Sequence, residues 1–144
     1  MLLPQKKIYL IRHGETEWTL SGQHTGLTDI PLTENGKKQA EMVGKRLLEQ
    51  TFQTVLTSPL LRAQSTCEIA GLLKNAQLDP DLVEWNYGDF EGLTSTEIRK
   101  IQPHWTIFSN GALPEPGVAT SGPQGLLKSA HGKTALYCHE GIES

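Results

Sequence analysis

An apolar run, Ile8-Tyr9-Leu10-Ile11, ends in Arg12-His13-Gly14. A cation, an imidazole and a residue with no side chain thus arrive together where a strand would end. Open α/β sheets bind ligands at that edge. Imidazole can attack phosphorus as a nucleophile, and the guanidinium fork matches phosphate oxygens. The step reads as the start of a phosphoryl-transfer site built on histidine.

Such chemistry needs more than one histidine. Cations must neutralise the equatorial oxygens, a donor must protonate the leaving alkoxide, and a base must later activate water. Candidates for each role stand near predicted strand ends. Arg62 follows the second strand in Ser58-Pro59-Leu60-Leu61-Arg62-Ala63. Glu84 opens the loop Glu84-Trp85-Asn86-Tyr87-Gly88-Asp89-Phe90-Glu91-Gly92, and His139 ends the last strand.

The elements that must position these groups follow from pattern. Lys6–Arg12 reads as a buried first strand. His13–Leu32 is a long polar loop, a kind that is usually functional. Thr33 is an N-cap with Glu34 in the first turn, and Ala40, Val43, Leu47 and Leu48 carry a helix to about Glu49. Thr54–Thr57 is a second strand, broken by Ser58-Pro59, and Ala63, Cys67, Ala70 and Leu73 mark the helix after it. Gln77–Asp79 is a weak third strand, and Leu82–Leu93 is another loop. Thr94-Ser95-Thr96-Glu97 has capping-box spacing and starts a helix to about Gln102. Thr134–Cys138 is a final strand. The alternation of strand and helix indicates a three-layer α/β domain. Residues 109–130, dense in Pro and Gly, read as a loop or disordered segment.

The 144 residues suggest one domain, with 37% hydrophobic and 20% charged residues placing it among globular chains. A net charge of −3 argues against nucleic acid or an anionic membrane as partner. Affinity for phosphate must therefore come from a local basic pocket. No apolar run spans a membrane, and the N-terminus lacks the apolar core of a secretory signal. Cys67 and Cys138 fit no metal spacing and read as reduced core thiols. A cytoplasmic enzyme is expected.

The ordered set Arg12-His13-Gly14-Glu15-Thr16, Thr25-Gly26, Leu32-Thr33-Glu34-Asn35-Gly36, Ser58-Pro59 with Arg62-Ala63, Glu84 with Gly88 and Glu91-Gly92, and His139 resembles the histidine phosphatase superfamily, also called phosphoglycerate-mutase-like. The resemblance implies a three-layer α/β/α domain, incomplete here at its C-terminal end. It implies His13 as the nucleophile that becomes phosphohistidine, and Glu84 as general acid and then base. Arg12, Arg62 and His139 would bind the transferring phosphoryl group. Thr19, Gln23, His24 and Thr25 would face a small phosphorylated substrate, with no metal or organic cofactor.

Within the superfamily, the stretch Gly14–Asp29 is similar to the sugar bisphosphatases, such as the fungal sedoheptulose bisphosphatase. Mutases of the family carry Asn where Thr19 stands and Arg near Gln23, which favours a phosphatase of sugar phosphates here. Two competitors remain: a phosphoglycerate mutase, and an impaired relative that only binds phosphorylated ligands.

The resemblance covers residues 6–111, fails over 112–130, and resumes faintly over 131–144. The family continues after Asn110-Gly111 with Gly-Gly-Glu-Ser and a long amphipathic helix, and places Gly after the second histidine. Here Leu113–Ala130 lacks that pattern and Glu140 follows His139. A break after about Ala112, from a shifted frame, a splice or a truncation, is the expectation. Loss of the helix would bare one sheet face and invite self-association. Glu140 would oppose phosphate binding and impair activity.

Each residue also has a plainer reading. Arg62 could cap its helix or pair with Glu68. Glu91 competes with Glu84 for the acid role. Glu15 would repel an anion and is expected to orient neighbours instead. His24 could order its loop rather than touch substrate. His104 and His131 read as surface residues, and Trp18, Trp85 and Trp105 as packing residues.

Overall fold

The computed structural model describes residues 7–110 and 136–140 of the chain. Among the described residues, four strands form one mixed sheet in the order β1–β4–β2–β3. They are β1 (Ile8–Ile11), β2 (Phe52–Thr57), β3 (Ala76–Leu78) and β4 (Leu136–Glu140). β2 and β3 run parallel, whereas β4 runs antiparallel to both β1 and β2. With the helices around it, this is an α/β fold, as the alternating pattern predicts.

Helix α2 (Glu34–Arg46) begins where the sequence places it: the Thr33 side chain accepts the Gly36 amide and caps the first turn. Helix α3 (Leu61–Ile69) follows the Ser58-Pro59 break, with the Ser58 hydroxyl accepting the Leu60 amide at 3.2 Å. α3 packs on β2, and α2 packs on α3. The core between them joins Val55 and Cys67 to Tyr9, Ile11, Phe52 and Leu72. Cys67 is fully buried, in keeping with a core thiol.

Strand alternation puts the other β1 residues on the opposite face. There Ile8 and Leu10 are 52% and 54% exposed. β1 is therefore not the buried strand that its apolar run predicts: only Tyr9 and Ile11 turn toward the core.

A second core gathers the loop side of the molecule. Tyr87, Phe90, Ile98 and Trp105 are buried together, with Trp85, Leu93 and Ile107 against them. Helix α4 (Ser95–Ile101) supplies Ile98 and opens with the predicted capping box, in which Thr94 and Glu97 exchange side-chain-to-backbone bonds. Trp105 is 1% exposed, in keeping with a packing role, and His104 is exposed.

Two helices are absent from the sequence reading. α1 (Glu17–Ser21) lies inside the first loop, and α5 (Ile107–Asn110) follows Trp105. α1 was hidden because Thr19, not Glu or Gln, closes its capping box with Thr16. Its C-cap is Gly22 at φ 77°, donating its amide to the Trp18 carbonyl. Ser109 and Asn110, expected to open the loop 109–130, close α5 instead; the rest of that loop, His131 and Thr134 lie outside the described residues.

A further expectation needs correction. The last strand does not end at His139; it runs through it to Glu140. Because β4 is antiparallel, His139 pairs with Ile8, at the start of β1, and with Thr54. Arg12 and His13 follow the other end of β1, on the order of 15 Å away along an extended chain. A strand-end histidine would share their edge only if β4 ran parallel to β1.

Candidate active site

The ends of β1 and β2 and the loop 84–94 converge on one basic, partly buried corner. β1 delivers Arg12 and His13. β2 leads through Ser58-Pro59 into α3, whose first turn carries Arg62. The loop supplies Glu84. The charges of Arg12 and Arg62 act on both His13 and Glu84. Four of the five predicted catalytic and phosphate-binding residues are thus brought together, and His139 is not.

His13 is fixed by its neighbour. Its ring Nδ1 lies 2.7 Å from the Gly14 carbonyl oxygen. A carbonyl only accepts, so Nδ1 must carry the proton, and Nε2 is left with its lone pair. Burial lowers the imidazole to about 4; the Gly14 bond opposes this, and the Arg62 and Arg12 charges add to it. The ring is therefore neutral near pH 7, the state a nucleophile requires.

Glu84 is perturbed in the opposite sense. Burial raises its carboxyl, and the bond from the Trp85 amide (3.0 Å) and the two arginines hold it back. The pair is thus shifted in opposite senses, the imidazole toward its neutral form and the carboxyl toward its protonated form, the pattern that acid–base catalysis uses.

Arg62 is fully buried, and burial pulls its guanidinium below the ordinary value. The carboxylates of Glu84, Glu91 and Asp29 act against this and favour its charge. Nη1 donates to the Thr28 carbonyl at 3.0 Å, and Nη2 to the Gly26 carbonyl at 2.9 Å. It neither caps its helix by itself nor pairs with Glu68; Asp29 supplies the cap, accepting the Leu61 amide at 2.9 Å. Nε is buried with no partner among the described residues.

Glu91 grips the same turn from its amide side. Oε1 accepts Gly26 N–H at 2.7 Å and Thr28 N–H at 3.2 Å. A Cβ on Gly26 would overlap the Trp85 carbonyl and come within 2.7 Å of Glu91 Oε2. Only glycine fits there.

Glu15 behaves as expected. Its carboxylate takes bonds from Thr33 Oγ1 (2.6 Å) and Asn35 Nδ2 (3.0 Å), at the start of α2. Gly14 and Gly36 meet backbone to backbone beside it, and a Cβ on either would overlap the other segment.

The four predicted substrate contacts have structural partners. The Thr19 hydroxyl donates to the Thr16 carbonyl and accepts the Thr16 amide, each at 2.8 Å. Gln23 Nε2 donates to the Gly92 carbonyl at 2.8 Å, and its Oε1 accepts from Ser21. The His24 ring lies 5.0 Å from Tyr87 and 5.3 Å from Trp105, with Nε2 3.0 Å from the Ser95 hydroxyl. Burial lowers its imidazole, against the charge of Glu91. These contacts hold the His24 ring against the second core. The Thr25 hydroxyl makes only a long bond, 3.4 Å, to the Gln23 carbonyl.

Three contributors have no role assigned from the sequence: Thr66, which bridges Gly14 and Arg62; Asp29, which caps α3; and Thr16, which pairs with Thr19. Thr66 stands four residues after Arg62 on α3, so its helical spacing was the available signal.

An α/β fold that brings a neutral, oriented imidazole beside two arginines and a raised carboxyl has the groups that phosphate chemistry requires. The comparisons agree: the signature of the Histidine phosphatase superfamily (branch 1) matches residues 8–121, and the chain belongs to that family. An acid phosphatase of Mycobacterium tuberculosis is 42% identical over 107 residues, 73% of this chain and 52% of that protein. The sedoheptulose 1,7-bisphosphatase of Saccharomyces cerevisiae is 35% identical over 125 residues, 71% of this chain and 46% of that protein. Phosphoglycerate mutases are also among the relatives. The solved structure of an open reading frame product from Mycobacterium tuberculosis superposes with a TM-score of 0.66 at 40% identity, covering 74% of this chain and 55% of that one. The chain spans about half the length of the curated relatives it matches. Among the described residues, no helix is long and apolar enough to cross a membrane.

Proposed function

We propose that this protein is a phosphomonoesterase that acts on small phosphorylated metabolites, sugar phosphates foremost, through phosphohistidine at His13. The observation that carries this reading is the bond from His13 Nδ1 to the Gly14 carbonyl, which leaves Nε2 as a neutral nucleophile beside Arg62.

In the first step Nε2 forms a bond to phosphorus, and the ester P–O bond breaks. Glu84 gives its proton to the departing alkoxide, while Arg12 and Arg62 hold the equatorial oxygens. In the second step water attacks the phosphohistidine. Glu84 takes a proton from that water, the N–P bond breaks, and phosphate leaves with His13 neutral again. Neither step calls for a metal or organic cofactor. The likeness to a sugar bisphosphatase supports the substrate class, and the departure from mutases at Thr19 supports hydrolysis over mutase transfer. A cytoplasmic location is part of the same reading.

A second reading has an observation of its own. His139 lies beside Ile8 rather than His13. A site without a second histidine could bind phosphorylated ligands and turn them over poorly. Incubation with an aryl phosphate in metal-free buffer, for wild type and His13→Ala, separates the two. Turnover that disappears in His13→Ala, with an acid-labile phosphoenzyme in wild type, supports the phosphatase. Binding without turnover supports the second reading. The exposed Ile8 and Leu10 support self-association through the sheet face, which sedimentation of Leu10→Lys against wild type tests.

A further inference from the structure

Arg62 and Glu91 hold one turn of backbone from opposite sides. The guanidinium donates to the carbonyls of Gly26 and Thr28, and the carboxylate accepts the amides of the same two residues. The backbone N–H and C=O of both residues are thereby engaged. Neither side chain can shift without breaking bonds that the other helps to hold. With these bonds and a longer one from Nη2 to the Thr25 carbonyl (3.4 Å), Nε is the one guanidinium nitrogen that lacks a partner among the described residues. A buried donor left unpaired is costly, so its persistence calls for an acceptor.

We propose that Glu91 is a positioning residue: through the Gly26–Thr28 turn it fixes the Arg62 guanidinium so that Nε–H is the donor presented to a phosphoryl oxygen. The inference rests on the phosphatase reading above and adds to it a residue that touches no substrate. Glu91 also faces the acid. Its charge joins burial in raising Glu84, while Arg62 and Arg12 oppose it. Gly26 belongs to the same device, since any Cβ there would displace the Glu91 carboxylate.

The test uses the 144-residue chain as wild type, Glu91→Ala and Glu91→Gln. An aryl phosphate gives kcat and KM, orthovanadate gives an inhibition constant, and circular dichroism gives the folded fraction. In folded Glu91→Ala, KM and the vanadate constant should each rise at least fivefold. Glu91→Gln keeps an acceptor for the two amides and should return both to within threefold of wild type. If Glu91→Ala does not fold, Glu91→Asp replaces it, because its shorter carboxylate cannot reach both amides. A purely structural Glu91 would lower the folded fraction and leave KM and the vanadate constant of that fraction unchanged. That result, or no recovery in Glu91→Gln, overturns the proposal. A wild type that neither turns over the ester nor binds vanadate overturns the phosphatase reading, and this one with it.

Discussion

The Thr66 hydroxyl accepts the Gly14 amide at 3.0 Å, across 52 residues of sequence, and donates to the Arg62 carbonyl at 2.7 Å. One buried side chain thus ties the loop that follows His13 to the helix that carries Arg62. The relative position of nucleophile and cation depends on it.

Thr66→Val keeps the shape and removes both bonds. It leaves the Gly14 amide buried without an acceptor, at a cost of about 1–3 kcal/mol. Chemical denaturation should show that loss. Because His13 and Arg62 also lose their shared tether, kcat/KM on an aryl phosphate should fall further than the folded fraction does.

The rate should follow a bell against pH. The rising limb reports His13 losing its proton, near pH 4. The falling limb reports Glu84 losing its proton, at a pH above 4.5. Glu84→Gln should abolish the falling limb and lower the rate by about 10²–10⁴-fold for a poor leaving group. A pH–rate profile of both proteins checks this.

Much of the local structure was legible in the sequence, because capping is a short-range matter. Thr33 with Glu34 and Thr94 with Glu97 announce their helices within a few residues. The strand ends that present His13 and Arg62 follow from apolar runs and the Ser58-Pro59 break. The direction of β4 was not legible. A strand has the same period of two whether it runs parallel or antiparallel, so its pattern does not say which end His139 reaches. The clamp on the Gly26–Thr28 turn was hidden for a different reason: its bonds join residues more than 30 positions apart. The polar residues of the first loop were read as substrate contacts, yet Thr19 and Gln23 use their polar atoms to hold the loops.

His13 also links stability to pH. Its folded value, about 4, lies below the ordinary 6.5. Between these values the unfolded chain binds more protons than the folded one, so stability falls as pH drops from about 6.5 to about 4. Glu84 works in the opposite direction: its raised carboxyl contributes stability below pH 4.5 that is lost as pH climbs through its folded value. Subtracting the two isolates the histidine. In urea melts across this window, wild type minus His13→Asn should show a stability difference that shrinks in wild type's disfavour as the pH is lowered.

Gly36→Ala places a methyl group against the Glu15 backbone, where no flexible side chain can yield. Overpacking of this kind costs about 1–3 kcal/mol. A lowered melting temperature and a weakened phosphoenzyme yield should appear together, since Gly36 packs on the segment that holds His13.

The backbone contact between Gly14 and Gly36 has a consequence for motion. With no side chain between them, the loop after β1 and the first turn of α2 move as one body. The nucleophile then inherits the slow opening of a capped helix rather than the fast excursions of a free loop. In hydrogen exchange, the amides of Gly14, Glu15 and Gly36 should open with a single free energy, and the slowest of them sets how long His13 stays aimed.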